Sequence, residues 1–140
     1  MNPFRVLVYL VIIICICSPG YGQIGKVNKT LTFSNGFQPS GICWDGSYLW
    51  VIDYSQDLIN KIDPSSGEVL LSFSAPDILP AGLAWDGEYL WCSGNRKREI
   101  FKLSTTGDVL TSFELSGSIR GLTIVDGNIW YADSGGKIIN

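Results

Sequence analysis

The chain has 140 residues, the length of one domain, with 16 glycines, 12 % aromatic and only 16 % charged residues, and a formal net charge of −3. This is a globular composition tilted toward strands and turns, and its mildly acidic balance gives no electrostatic pull on nucleic acid or an anionic membrane. The chain has no histidine, which excludes a Ser/His/Asp triad and any site that needs imidazole as base or ligand.

The first element is a leader. Arg5 precedes an unbroken apolar run from Val6 to Cys17, followed by Ser18-Pro19 and the small residues Gly20 and Gly22. A positive start, a short apolar core, a helix breaker and small residues at minus three and minus one predict a secretory signal peptide over residues 1–22, cleaved after Gly22. The run falls short of the roughly 18 to 20 residues that cross a bilayer, so no membrane span is expected after cleavage. The predicted location is secreted or periplasmic. Of four cysteines, Cys43 and Cys92 lie beyond the leader. In an oxidising compartment they either pair or stay as buried free thiols, and spacing alone does not decide between these.

After an isolated strand at residues 29–34, "KTLTFS", the sequence repeats itself. "GICWDGSYLW" opens one unit at Gly41, "GLAWDGEYLW" a second at Gly82, and "GLTIVDGNIW" a looser third at Gly121. A period of about 40 residues signals stacked structural units. Within each, Asp-Gly lies between two apolar runs, which predicts a hairpin whose two turn residues are that dipeptide. "LINKIDPSSGEVLLSFS" and "IFKLSTTGDVLTSFEL" then read as two further strands joined by short Pro/Ser/Gly or Ser/Thr/Gly turns. The expected units are 41–74, 82–115 and a partial one at 121–140, within a segment running from residue 23 to 140. Ile42, Trp44, Leu49, Trp50 and Ile52 make the first sheet apolar on both faces, so it must be sandwiched between copies of itself.

The pattern "GLxWDGxYLWxxD…IxKIDPxxGEVLxSF" resembles the blades of secreted bacterial β-propeller proteins of the NHL, YVTN and glutamine cyclotransferase-like kind, over residues 31–140. The resemblance implies an all-β fold of four-stranded antiparallel blades around an axis, about three of them, hence an incomplete propeller. The leading strand, two full units and three further strands add up to three blades. Two chains in a homodimer would then close a six-bladed ring; a truncated sequence is the other explanation.

The same resemblance bears on activity. Streptogramin-lyase-like propellers act through histidine, which this chain lacks. Gluconolactonase-like propellers and glutamine cyclotransferases carry a glutamate directly before the unit-opening glycine, where this chain has Ser40, Ala81 and Arg120. Asp53 and Asp133 recur at the end of the second strand, either on a binding face or calcium site with Asp57 nearby, or as acceptors that fix the next turn. The cluster "NRKRE" at 95–99 supplies Arg96, Lys97 and Arg98, and with Arg120 these form a candidate cationic rim for a carboxylate or a sulfated glycan. Trp44, Trp50, Trp85, Trp91 and Trp130 recur in register and read as packing between units rather than as a sugar platform. The expected function is a secreted binding or scaffold module, with no cofactor and no metal, for an unknown protein, peptide or glycan. The alternative is a fragment of a propeller enzyme, a lyase or hydrolase of small extracellular substrates.

Overall fold

The computed structural model describes residues 8–10, 27, 29–33, 36–115, 117–134 and 137–139, and these form thirteen strands and no helix. They fall into two units, residues 1–37 and 38–140. The expected leader lies outside the described residues except for 8–10. In the first unit β1 (Val8–Leu10) pairs antiparallel with β2 (Leu31–Phe33), and the Phe33 and Phe37 rings stack with centroids 4.6 Å apart.

The second unit is three antiparallel sheets. The first orders β3 (Pro39–Trp44), β4 (Leu49–Asp53), β5 (Leu58–Ile62) and β6 (Val69–Ser74) side by side. The second repeats this with β7 (Pro80–Trp85), β8 (Leu90–Gly94), β9 (Glu99–Leu103) and β10 (Val109–Glu114). The third has β11 (Ile119–Val125), β12 (Asn128–Asp133) and β13 (Lys137–Ile139). The inner strand of each sheet starts ahead of the glycine expected to open it, at Pro39, Pro80 and Ile119. Strands β3, β7 and β11 neighbour one another in that order.

The sheets lie face to face because both of their faces are apolar. Trp50, Ile52 and Ile59 leave one side of the first sheet and pack with Leu83, Leu90, Cys92, Phe101 and Leu103 of the second. The opposite side of the second sheet offers Ala84, Trp91 and Ile100 to Ile119 and Tyr131 of the third. Alternation along each strand sends successive side chains to opposite faces, so one strand serves two interfaces. Trp50 is fully buried, and its truncation to alanine costs about 3–5 kcal/mol.

The opening glycines are there for backbone approach. A Cβ on Gly41 would lie 2.6 Å from the Ala81 carbonyl oxygen, and one on Gly82 would lie 2.8 Å from the Leu122 Cβ. Any side chain at either position would push two sheets apart.

The Asp-Gly hairpins differ from the expectation. Asp45 and Asp86 are not turn-centre residues: Trp44 pairs with Leu49 and Trp85 with Leu90, and the positive φ falls on Gly46 (99°) and Gly87 (103°) alone. The turn therefore centres on Gly46-Ser47 and Gly87-Glu88, with glycine first, as a type II′ geometry requires. In the third sheet the dipeptide is displaced one residue along the repeat. Asp126 (φ 50°) and Gly127 (φ 76°) then form the turn themselves, with Val125 opposite Asn128. There both central residues have positive φ, the type I′ signature.

The displacement matters because the first two aspartates have another task. Asp45 Oδ1 accepts the Ser47 and Tyr48 backbone N–H groups, at 2.8 and 2.7 Å, and Oδ2 accepts the Trp50 indole N–H at 2.7 Å. Asp86 does the same for Glu88, Tyr89 and Trp91. Lys61 lies over the Tyr48 ring, 4.1 Å from its centroid, and Lys102 over Tyr89 at 4.0 Å with its Nζ 3.7 Å from Asp86. Partial burial opposes ionisation of Asp45. The Tyr48 N–H, the Trp50 indole, the Ser47 N–H and the Lys61 charge outweigh it and hold the carboxyl below its ordinary value. At Asp86 burial is likewise outweighed, by Trp91, Tyr89, Glu88 and Lys102.

Asp45→Ala and Asp86→Ala should each lower stability by about 1–3 kcal/mol, because an indole N–H and two turn amides lose their acceptor. Since both folded carboxyls titrate below their unfolded counterparts, the stability they confer is complete above the unfolded pKa of about 4 and disappears as pH falls through the folded values. Urea midpoints measured from pH 6 to 2 should therefore fall less steeply on the acid side in Asp45→Asn and Asp86→Asn than in the parent.

Cys43 and Cys92 face one interface from opposite sides: Cys92 belongs to the core between the first two sheets, and Cys43 packs against that core. Both are free thiols here. Burial pushes the Cys92 thiol up to about 12, with the Asp77 charge adding to it. Burial, Asp45 and Cys92 raise that of Cys43. Native protein should react with a thiol reagent orders of magnitude more slowly than protein unfolded in urea at the same pH; equal rates measured by absorbance would show that these thiols are accessible.

Candidate functional site

Each inner strand carries a one-residue bulge beside its glycine. The register slips between Pro39 and Ile42, between Pro80 and Leu83, and between Ile119 and Gly121. A bulge bends its strand and redirects the side chain at the irregularity. The three residues there are Ser40, Ala81 and Arg120, and the side-by-side inner strands bring all three to one groove.

That groove has a volume of about 360 Å³ and is lined by Ser40, Tyr54, Leu79, Ala81, Asn95, Ser118 and Arg120. Among the described residues, Arg120 is the one cation that lines it. Ser40 Oγ donates to the Pro80 carbonyl at 3.2 Å, Asn95 Nδ2 to the Leu79 carbonyl at 3.1 Å, and Ser118 Oγ to Asn95 Oδ1 at 3.1 Å. These bonds tie the loops at the groove to one another. Tyr54 is 40 % exposed, and Arg120 is exposed as well.

The other rim candidates are placed differently. Arg96, Lys97 and Arg98 stand exposed on the β8–β9 turn, of which Asn95 alone reaches the groove lining. Arg98 takes a left-handed φ of 59° and offers its carbonyl to the Leu115 N–H, while Lys97 Nζ lies 5.7 Å from the Phe101 ring centroid. Asp57 occupies the matching position of the first sheet, with φ 53° and its carbonyl on the Ala75 N–H.

Asp53 is buried, and its Oδ1 accepts from the Gln38 N–H, the Ser55 N–H and the Ser55 hydroxyl, at 3.1, 2.9 and 2.7 Å. Asp133 Oδ1 accepts from the Ser118 N–H at 3.0 Å. Asp57 Oδ1 instead takes the Leu79 N–H. These carboxylates serve separate loops, and among the described residues no group of three or more His, Cys, Asp or Glu side chains is placed to hold a metal ion.

The second sheet has Gly94 where the others end in aspartate, and there a carboxylate arrives from another part of the chain. Asp77, in the segment before β7, is buried and accepts the Lys97 N–H at 2.7 Å. A Cβ on Gly94 would lie 2.5 Å from both the Cβ and the Oδ2 of Asp77. Sequence reasoning passed over Asp77 because it lies outside the repeat's register; the only sign of it is the missing aspartate at 94.

No protein-family model matches the chain, and no curated protein matches its sequence. Solved structures do. Glutaminyl cyclase of Myxococcus xanthus superposes with a TM-score of 0.63 at 17 % identity over 75 % of this chain and 50 % of that one. Virginiamycin B lyase from Staphylococcus aureus gives 0.61 at 19 % identity over 79 % and 43 %. The WD40 β-propeller domain of Doa1 gives 0.63 at 18 % identity over 81 % and 39 %. These sheets are β-propeller blades. The chain spans half or less of the length of each of these propeller proteins, and identities below a fifth carry the fold alone. In this architecture the groove of Ser40, Ala81 and Arg120 lies where the inner strands of successive blades meet.

The exchange between Asp77 and Gly94 gives a double-mutant test. Gly94→Asp and Asp77→Gly should each destabilise, the first by steric conflict and the second by leaving the Lys97 amide without its acceptor. The pair Asp77→Gly/Gly94→Asp rebuilds the arrangement of the first blade and should recover about 1 kcal/mol or more of the summed loss in a thermal or urea melt.

Proposed function

We propose that this chain is a secreted binding or scaffold module that recognises an anionic group, a carboxylate or a sulfate on a peptide or glycan, in the groove of Ser40, Ala81 and Arg120. One observation carries the reading: the repeat's three equivalent pre-glycine residues converge on one groove, and the single charge among them is a guanidinium. A guanidinium presents a rigid fork of donors that matches a carboxylate or sulfate in two-point contact. Exposed Tyr54 supplies an aromatic face and a hydroxyl beside it. The other polar side chains of the groove, Ser40, Asn95 and Ser118, hold the loops in place, an arrangement suited to a preformed surface. Arg96, Lys97 and Arg98 extend positive charge outward from Asn95 and raise the encounter rate of an anion.

Binding to an array of carboxylated and sulfated glycans and acidic peptides, followed by titration of the best ligand, is the test. Arg120→Ala should weaken that ligand about 10- to 100-fold. Arg96→Ala/Arg98→Ala should mainly slow association and reduce its salt dependence. Unchanged affinity in Arg120→Ala would remove the groove from the reading, and an array without any ligand would remove the anion.

A further inference from the structure

Each blade enters its inner strand through an equivalent residue three places before the opening glycine: Gln38, Leu79 and Ser118. In the first and third blades the backbone N–H at that position donates to the aspartate that ends the blade's own second strand, Gln38 to Asp53 at 3.1 Å and Ser118 to Asp133 at 3.0 Å. The second blade has Gly94 in that aspartate's place. Its Leu79 N–H turns instead to Asp57, on the β4–β5 turn of the blade before, at 2.9 Å. With this exchange goes a left-handed backbone at Leu79, φ 58°, which neither Gln38 nor Ser118 adopts.

Such a φ is costly for a bulky side chain, and the residue before a proline, here Pro80, is more restricted still. It persists because neighbouring loops fix it on both sides. Asp57 takes the Leu79 N–H, the Leu79 carbonyl accepts from Asn95 Nδ2 at 3.1 Å, and the next carbonyl, that of Pro80, accepts from Ser40 Oγ at 3.2 Å. Backbone strain held in this over-determined way gathers at ligand clamps. Here it keeps a leucine 42 % exposed in the lining of the Arg120 groove, together with Tyr54 and Ala81.

The donors of the groove narrow its ligand. Ser40 and Ser118 each have one hydroxyl proton and each gives it to a protein acceptor, while Asn95 Nδ2 uses one of its two on Leu79. The Arg120 fork therefore carries most of the remaining donor capacity. It satisfies both oxygens of a carboxylate, whereas a sulfate brings a third terminal oxygen, and a sugar its hydroxyls, that would leave water without gaining partners.

We propose that the groove takes a carboxylate on an apolar carrier: Arg120 holds the two oxygens, and Leu79 and Tyr54 cover an aliphatic or aromatic side chain beside them. Leu79 sets this specificity, and Asp57 positions it. The inference rests on anion recognition by Arg120 and narrows it to one class, an N-acylated apolar amino acid, either free or as the last residue of a peptide. The groove volume of about 360 Å³ lies at the small end of ligand sites and suits one such residue.

NMR titration of the full chain with N-acetylphenylalanine, its N-methylamide, N-acetylglycine and a sulfated glucose tests this. N-acetylphenylalanine should bind at least about tenfold more tightly than N-acetylglycine or the sulfated sugar, and the amide, which has no carboxylate, should not bind. Leu79→Ala should bring the phenylalanine and glycine acids to within about threefold of one another. Leu79→Gly should do the same without a fall in the urea midpoint, since glycine adopts a left-handed φ freely. Asp57→Ala should also lower the preference, and Asp57→Asn, which keeps an oxygen for the Leu79 N–H, should restore it. A peptide ending in phenylalanine that binds more tightly than N-acetylphenylalanine makes a chain end the source of the ligand; equal affinity makes it the free acid. Equal binding of the phenylalanine and glycine acids by the parent, or tighter binding of the sulfated sugar, would overturn the apolar carrier and leave Arg120 as an anion site. A preference that survives in both Leu79 variants would overturn the role of Leu79. If no acid binds and Arg120→Ala matches the parent, the anion reading falls as well.

Discussion

The structure depends on one constraint: a four-stranded sheet that is apolar on both sides is stable in water only with another sheet pressed against each face. The pressing is close. Where the inner strands pass, the backbone of one blade lies against Gly41 or Gly82 of the blade before it, with no room for a methyl group. Around that approach the larger side chains distribute themselves, Trp50 and Ile59 against Leu90 and Leu103 in one interface, Trp91 and Ile100 against Tyr131 in the next. The interfaces are related but not identical. Where the first sets Cys43 near Cys92, the second sets Ala84 and Tyr131, a small residue and a large one sharing the same space.

Polar groups are organised around this packing. Burying a tryptophan also brings its indole N–H toward the interior, and Asp45 and Asp86 meet that donor while fixing the neighbouring turn. At the other end of each second strand a carboxylate gathers the loop amides, from Asp53, from Asp133, or from Asp77 in the blade that ends in Gly94. With both strand ends fixed in this way, the bulges at Ser40, Ala81 and Arg120 present their side chains from a rigid frame. A groove on such a frame needs little rearrangement to bind, which favours recognition by shape and a single charge.

Asn60 is the exception. It sits on the second face of the first blade, nearly buried, where the second blade has Phe101. Its Oδ1 accepts the Ser72 hydroxyl at 2.6 Å, but among the described residues its Nδ2 has no partner. A buried amide donor left unpaired costs about 1–3 kcal/mol, so the first blade carries a penalty that its neighbour avoids with a ring.

Much of the architecture was legible in the chain itself. The spacing of Gly41, Gly82 and Gly121, the alternation through "YLWVID" and the tryptophans in register lead to stacked four-stranded sheets, because strand periodicity and the need to cover apolar faces are local properties of sequence. The Asp-Gly dipeptides were legible as turns but not as to which turn. A one-residue offset in the third unit converts a tryptophan anchor into a turn centre, and that depends on what lies five residues onward in space. Other features belonged to the tertiary structure alone. It decided that Asp77 replaces the carboxylate missing at Gly94, that Ser40, Ala81 and Arg120 share a groove while Arg96, Lys97 and Arg98 stand beside it, and that Cys43 and Cys92 border one interface. These are contacts between residues far apart in the chain. Their distances are set by how whole sheets pack, a quantity that no short stretch of sequence contains.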